Sequence, residues 1–501
     1  MIYNSRNFLL MRMFIFFLVA CFIPTTNSMA IGPDFGKIKE AIKDNRTENK
    51  KEIKGKIKSK IQEIVSGMPD ETLALQSTEK VELVTIHEAV KIAQQTAKEH
   101  AEALIDQEFH KNGKLLQVPA TFPTISQAIN AAQSGDTILV AAGTYYEQLV
   151  MKDGVKLVSD SSDNGDELVS VKNALIQLPR RTLRTIIDGI KTTPSKHGMI
   201  DFNPGVTNKT IVDGFTVRNL PHQDHHTPGH AHGLNIRGAS PIIMNCYIKD
   251  MGSTGIGSHV VFNDQESPIE NRDFRYANIK SSASAIIYNN IITGSLGLGI
   301  GCNHFSSPTI LGNDVFNNND SELGAKPSPG MGNKHGSHAT IIGNIVHDNP
   351  GGGILCQIGK NQGKHPIDRT AHPTIIKNVV YDNGPDRPGI SSKGAGSVNR
   401  PVIIQGNYVY NAGATGIALS SGATGIIENN YVSKPKEPGI AINASIALKL
   451  NYNQVTKLDG NPGIIIIDGG VVHEMIGNRV DPDEDAPPYL IDGDSTIKKI
   501  N

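Results

Sequence analysis

Tryptophan is absent from the 501 residues, and aromatic side chains make up only 5% of them. With so few large rings available, the interior has to be filled by Ile, Val and Leu in thin, regular layers. Cysteine is scarce as well. One of the four lies at position 21, and the remaining three, Cys246, Cys302 and Cys356, are an odd trio that excludes a disulfide framework and reads as buried thiols. Beyond the N-terminal "FIFFLVACFIP", no segment is long and apolar enough for a transmembrane helix. Excess charge of one sign is also missing. Without the first thirty residues the chain carries 46 basic and 49 acidic side chains, a formal charge of −3. That balance argues against a polyanion-coating protein, so no nucleic-acid partner is expected.

Residues 1–30 read as a secretory signal, with Arg6 and Arg12 ahead of a short apolar run. Ser28 and Ala30 sit at the spacing signal peptidase prefers, whereas "LVAC" resembles a bacterial lipobox that would leave Cys21 lipidated and the protein anchored by it. Either route takes the chain out of the cytoplasm, to the periplasm, the outer membrane or the medium.

Residues 31–112 have a helical pattern and are expected to form a spacer or hairpin, or a homo-oligomerisation module. Ile53, Ile57, Ile61 and Ile64 share one stripe; Ile86, Val90, Ala93, Ala97, Ala101 and Leu104 share a second. Thr85 and Glu88 stand at capping-box spacing before the second stripe. Residues 31–66 hold ten basic and six acidic side chains against three and nine over 70–108, so the two halves have opposite charge.

What the chain does have is glycine, fifty of them, and repetition. The phrase "HATIIGNIVHDNPGGGILC" at 338 returns as "HPTIIKNVVYDNG", "RPVIIQGNYVYNAGATGIALS" and "ATGIIENNYV". Aligning the phrases gives a column of Phe215, Cys246, Asn290, Asn313, Asn344, Asn378, Asn407, Asn430, Asn453 and Asn478, with a shortest repeat of 23 residues and longer intervals where segments are inserted. A period of this size marks a solenoid whose coils bury their apolar faces only by stacking. Asparagine suits the column because it tolerates a left-handed corner and because stacked amides can hydrogen-bond from coil to coil.

A second column follows each Gly-aliphatic pair, as in "GLNIR", "GIGSH", "GIGCN", "GMGNK", "GILCQ" and "GISSK". Side chains alternate along a strand, so Ile236, Ser258, Cys302, Asn333, Cys356, Ser392, Leu419, Ile442 and Ile466 point inward. The residues after them face water: Arg237, His259, Asn303, Lys334, Gln357, Lys393, Ser420 and Asn443. These eight include every type needed to hold an acidic or hydroxylated chain and contain no carboxylate. Insertions at 220–232, 260–283, 320–329 and 359–372 would wall this face. The first of them, "NLPHQDHHTPGHAHG", has five histidines in eleven residues. His225, His230 and His232 are candidate ligands for zinc or copper, although no metal is required on the main reading.

From "LLQVPATFPTISQAINAAQSGDTILVAAGTYYEQLVMKDGVKLV" the chain resembles the opening of right-handed parallel β-helix proteins of the pectin-lyase-like superfamily, in which a helix covers the first coil. The resemblance extends over residues 113–480, with 481–501 as a C-terminal tail, and implies an all-β solenoid. Most characterised members of that superfamily are lyases, epimerases, hydrolases or esterases acting on uronic-acid polymers, so it implies a polysaccharide partner. Hydrolase signatures are missing: neither "NTD" nor "DD" occurs. The aspartates of pectin esterases and the clustered carboxylates of calcium-dependent pectate lyases are missing as well. β-Elimination or epimerisation needs less, namely a base and cations to hold developing charge. His259 or Lys393 is the candidate base, with Arg237, Asn303, Lys334 and Gln357 binding substrate. The chain is also similar to periplasmic β-helix proteins that mature copper sites, which makes metal handling or surface adhesion the alternative.

Overall fold

The structure, a computed structural model, describes residues 83–105, 113–193, 198–221, 232–319, 327–359, 370–481 and 486–500. Short strands wind repeatedly through three long parallel sheets, each turn adding one strand to each sheet, which is a β-helix. The pairing is in register from coil to coil: Ile310 stacks on Ile341, Ile341 on Ile375 and Ile375 on Ile404, all in the first sheet. One apolar cluster runs from Val118 to Tyr489 and is made almost wholly of aliphatic side chains, as a chain without tryptophan requires. The inward column is buried throughout, with Cys302, Cys356 and Leu419 in the cluster and Ser258, Asn333 and Ser392 as buried polar side chains beside it. All three described cysteines are free and buried; burial pushes the Cys302 thiol up to about 12.

The asparagine column is a buried ladder. Asn344 Oδ1 accepts the backbone N–H of Asn313 at 2.9 Å, and its Nδ2 donates to the Ile310 carbonyl at 2.9 Å and to Asn378 Oδ1 at 3.0 Å. The same bonds recur from Asn290 to Asn478. The expected left-handed corner is not at the asparagine itself. The left-handed backbone belongs to the residue before each ladder position, Asn289, Gly312, Gly343, Lys377, Gly406, Asn429, Tyr452 and Gly477, and not to the ladder residue itself. The amide is therefore selected by its hydrogen bonds. A second ladder, Asn318, Asn349 and Asn383, five residues further along, holds the corner between the second and third sheets.

Both ends of the solenoid differ from the repeat. Helix α1 (Ile86–Ile105) begins at the Thr85–Glu88 capping box. Its alanine stripe packs against the outer wall, Ala89, Val90 and Ala93 beside Ile291, Phe316 and Ile345, and Ala97 and Ala101 beside Leu311 and Ile342. The expected spacer is thus docked over its described part, because small faces meet there. A Cβ on Gly343 would lie 2.3 Å from the Ala93 carbonyl oxygen, and one on Gly312 would lie 2.9 Å from Ala97 Cβ. The leader with Cys21, the first helical stripe and residues 106–112 lie outside the described residues. Helix α2 (Ile125–Ala131) covers the first coil with Ile125, Ala128 and Ile129, and the Glu147 carboxylate accepts its first N–H groups at 2.9 Å. At the other end, residues 486–500 are not a tail but a further partial coil. Tyr489–Ile491 pairs with Ile464–Ile466, and Thr496–Ile497 with Val471–Val472.

The outer face of the second sheet is covered by α1 and by the antiparallel pair Leu168–Ser170 and Gln177–Pro179. His347 is buried there between the rings of Phe316 and Tyr381, at 4.8 and 4.7 Å. Its Nε2 lies 3.0 Å from Asp314 Oδ1 and its Nδ1 lies 2.7 Å from Asp348 Oδ2. Burial pulls the imidazole pKa down, but the hydrogen bonds and charges of Asp314 and Asp348 outweigh it and hold the pKa above the usual histidine range. Asp314 also accepts the Leu175 N–H at 2.5 Å, which ties the covering hairpin to the sheet.

Two predictions follow from these contacts. Asn344→Ala leaves donors and acceptors of two neighbouring coils buried without partners, and should cost about 2 kcal/mol or more in denaturant unfolding. A loss no larger than that of a surface substitution would show the ladder to be incidental. The raised His347 pKa adds stability that is present below the unfolded imidazole value and lost as pH rises through the folded one. The stability advantage of the wild type over His347→Gln should be full below about pH 6, near the unfolded imidazole value, and shrink as the pH is raised above it. A constant difference through that rise would contradict the charged pair.

Candidate functional site

The strands of the third sheet that carry the outward row are Leu234–Arg237, Ile256–His259, Ile300–Asn303, Met331–Lys334, Ile354–Gln357 and Ile390–Lys393. Arg237 stands opposite His259, and His259 opposite Asn303; Lys334 stands opposite Gln357, and Gln357 opposite Lys393. Cys302 pairs with Asn333 and so joins the two runs in one register. Six predicted site residues from 157 residues of chain therefore form one file at one-coil spacing, roughly 24 Å long at about 4.8 Å per strand. Lys393 is exposed and the other five are half-buried. Ser420 and Asn443 continue the file, and none of these eight is a carboxylate. His259 and Lys393 stand four coils apart, roughly 19 Å. Only one of them can act on a given reacting carbon.

Strand alternation gives each coil a second outward position. In three successive coils it is glycine: Gly257, Gly301 and Gly332. The space is occupied from the side. A Cβ on Gly257 would lie 1.8 Å from His232 Cδ2, and one on Gly332 would lie 2.3 Å from Leu298 Cδ2. His232 thus occupies the space over bare backbone, and its ring stands edge-on to His259 at 6.1 Å and 78°. Of the histidines read as metal candidates, His232 is in this position, while His225 and His230 lie outside the described residues. Among the described residues no three histidine, cysteine or acidic side chains come together as a metal-binding group.

One coil before Arg237, the same outer face carries Asp201 opposite Asn235. Asp201 Oδ1 accepts from Asn235 Nδ2 at 2.9 Å and from the Gly198 N–H at 3.0 Å, and both side chains are buried. This carboxylate falls outside the aligned outward column because its strand, "MIDFN", has Met199 where the repeated phrase has glycine, and "GMIDFNPG" on its own is only a faint echo of the pectin-esterase aspartate setting. On the other flank, the insertion at 260–283 folds back as Val261–Phe262 paired antiparallel with Ile279–Ser281. It brings Phe274 onto His304 (5.4 Å, 18°), which stacks on His335 (4.8 Å, 29°). His304 and His335 follow Asn303 and Lys334 directly and adopt left-handed backbone, so the three rings line the edge of the polar file. The walls expected at 220–232, 320–329 and 359–372 fall largely outside the described residues.

A coiled, in-register solenoid with a polar file on one face defines the class. The chain belongs to the right-handed β-helix family, whose model, described as "right handed beta helix region", matches residues 205–362 and 356–495. A second family model, described as a protein of unknown function (DUF1565), matches residues 116–272. No curated protein matches the chain. Among solved structures it is similar to the A-module of a mannuronan C-5 epimerase from Azotobacter vinelandii, with 14% identity over 78% of this chain and 99% of that one and a TM-score of 0.39. It is also similar to the Dettilon tailspike protein, with 15% identity over 75% and 68% of the two chains and a TM-score of 0.46. A third is the catalytic unit of an α-1,3-glucanase from Streptomyces thermodiastaticus, with 11% identity over 79% and 68% and a TM-score of 0.39.

Proposed function

We propose that this is an exported protein that binds an acidic polysaccharide along the third sheet. The observation that carries the reading is the file of Arg237, His259, Asn303, Lys334, Gln357 and Lys393. A rigid rod that repeats cations and amides at strand spacing suits a polymer that repeats carboxylates and hydroxyls, because each coil offers the same kind of contact without reordering the backbone. Export by the leader at residues 1–30, with or without a lipid on Cys21, is part of the same proposal, as is self-association through the helical segment ahead of the solenoid. Replacing Lys334 and Lys393 together by alanine should abolish retention on a polygalacturonate column, and thermal unfolding should stay within about 1 kcal/mol of wild type because both side chains stand on the outward face of the sheet and not in the core. Undiminished retention would remove this face as the binding surface.

The second reading adds turnover. His232 edge-on to His259, beside Arg237, favours His259 over Lys393 as the base that removes a proton next to a uronate carboxylate, while the C4–O bond to the next sugar breaks and the departing oxygen takes up a proton from water. Arg237 holds the developing charge, and Lys334, two coils beyond His259, holds a neighbouring carboxylate. If elimination occurs, incubation with polyuronates should raise the ultraviolet absorbance of unsaturated chain ends, and His259→Ala should cancel that rise while leaving column retention in place. A flat trace from the wild type on every polyuronate leaves binding without elimination.

A further inference from the structure

We infer that Tyr276 and Phe305 form a stacking subsite for a pyranose ring at the edge of the polar file, so that the protein selects ring-bearing acidic polymers over other polyanions. This inference rests on the polysaccharide reading above. Tyr276 is the most exposed aromatic ring among the described residues, at 69%, in a chain where such rings are scarce. Its position is built and braced. Phe262 and Phe274 of the same insertion are buried in the core cluster. Asp264 holds the Asp273 N–H at 2.7 Å and Asn278 Nδ2 at 2.8 Å, Asn278 Nδ2 also reaches the Asp273 carbonyl at 2.7 Å, and Asp273 accepts from Arg275 Nε at 2.8 Å. These bonds fix the residues on both sides of Tyr276 while leaving its ring in solvent.

The ring stands edge-on to Phe305 at 6.0 Å and 82°. Phe305 is two residues beyond Asn303, and it lies over Gly336, where a Cβ would come within 2.5 Å of its ring. The aromatic surface is therefore continuous with the coils that carry Asn303 and Lys334. A pyranose has an apolar C–H face and polar edges. Laid on Tyr276, it keeps its carboxylate and hydroxyls towards the file, whereas a flexible polyanion without rings offers the aromatic surface nothing.

The test compares two immobilised probes, polygalacturonate and poly-L-glutamate. Tyr276→Ala should weaken polygalacturonate binding about three- to tenfold and leave poly-L-glutamate retention unchanged, while Tyr276→Phe keeps both. Equal thermal midpoints of the wild type and both variants show that folding is unchanged at this exposed position. Wild-type binding of polygalacturonate that Tyr276→Ala leaves within about twofold overturns the subsite while the polysaccharide reading stands. A wild type that retains no polyuronate overturns both.

Discussion

Everything in this molecule depends on coils stacking in register, and the buried amide ladder enforces that register. At the corner between the first and second sheets the backbone turns through a left-handed residue, which leaves carbonyl and N–H groups that no strand ladder can take. Each asparagine satisfies its own corner and those of its neighbours, so a coil displaced by one residue would lose several buried hydrogen bonds together and would also expose its aliphatic face. Outward side chains then have no choice of row. Arg237 and Lys393 share one file because the interior amides between their coils are locked.

On that frame, function is a matter of what is added and what is removed. Glycine at 257, 301 and 332 strips the floor beside the file and lets His232 and Leu298 lie across it. The 260–283 insertion brings rings to the opposite edge, where positive-φ corners at His304 and His335 turn two imidazoles into a stack. Helix α1 takes the far wall, at glycine corners that allow close backbone approach. The polar file is left uncovered by it.

Much of this was legible in the chain. The 23-residue repeat, the inward cysteines and the outward file follow from alternation and spacing, which are local properties, and the cap over the first coil is what the resemblance to β-helix openings implies. What was missed lies where the repeat is broken or where a contact crosses it. Asp201 sits on a strand without the repeated glycine, and the second asparagine ladder, Asn318, Asn349 and Asn383, lies between the two aligned columns. The assignment of left-handed backbone to the wrong residue had the same origin, since asparagine serves both needs and only φ separates them. Docking of α1 was unreadable because an alanine stripe declares a small face without naming its partner.

The sequence by itself determined the solenoid, its period and which side chains face outward, since strand alternation and coil stacking leave one answer once the apolar pattern is known. Only the tertiary structure decided which outward residues have company: Asp201 with Asn235, His232 over Gly257, and Phe274 on His304. Those meetings depend on where inserted segments fold back and on space left by absent side chains, and neither is encoded within a single coil.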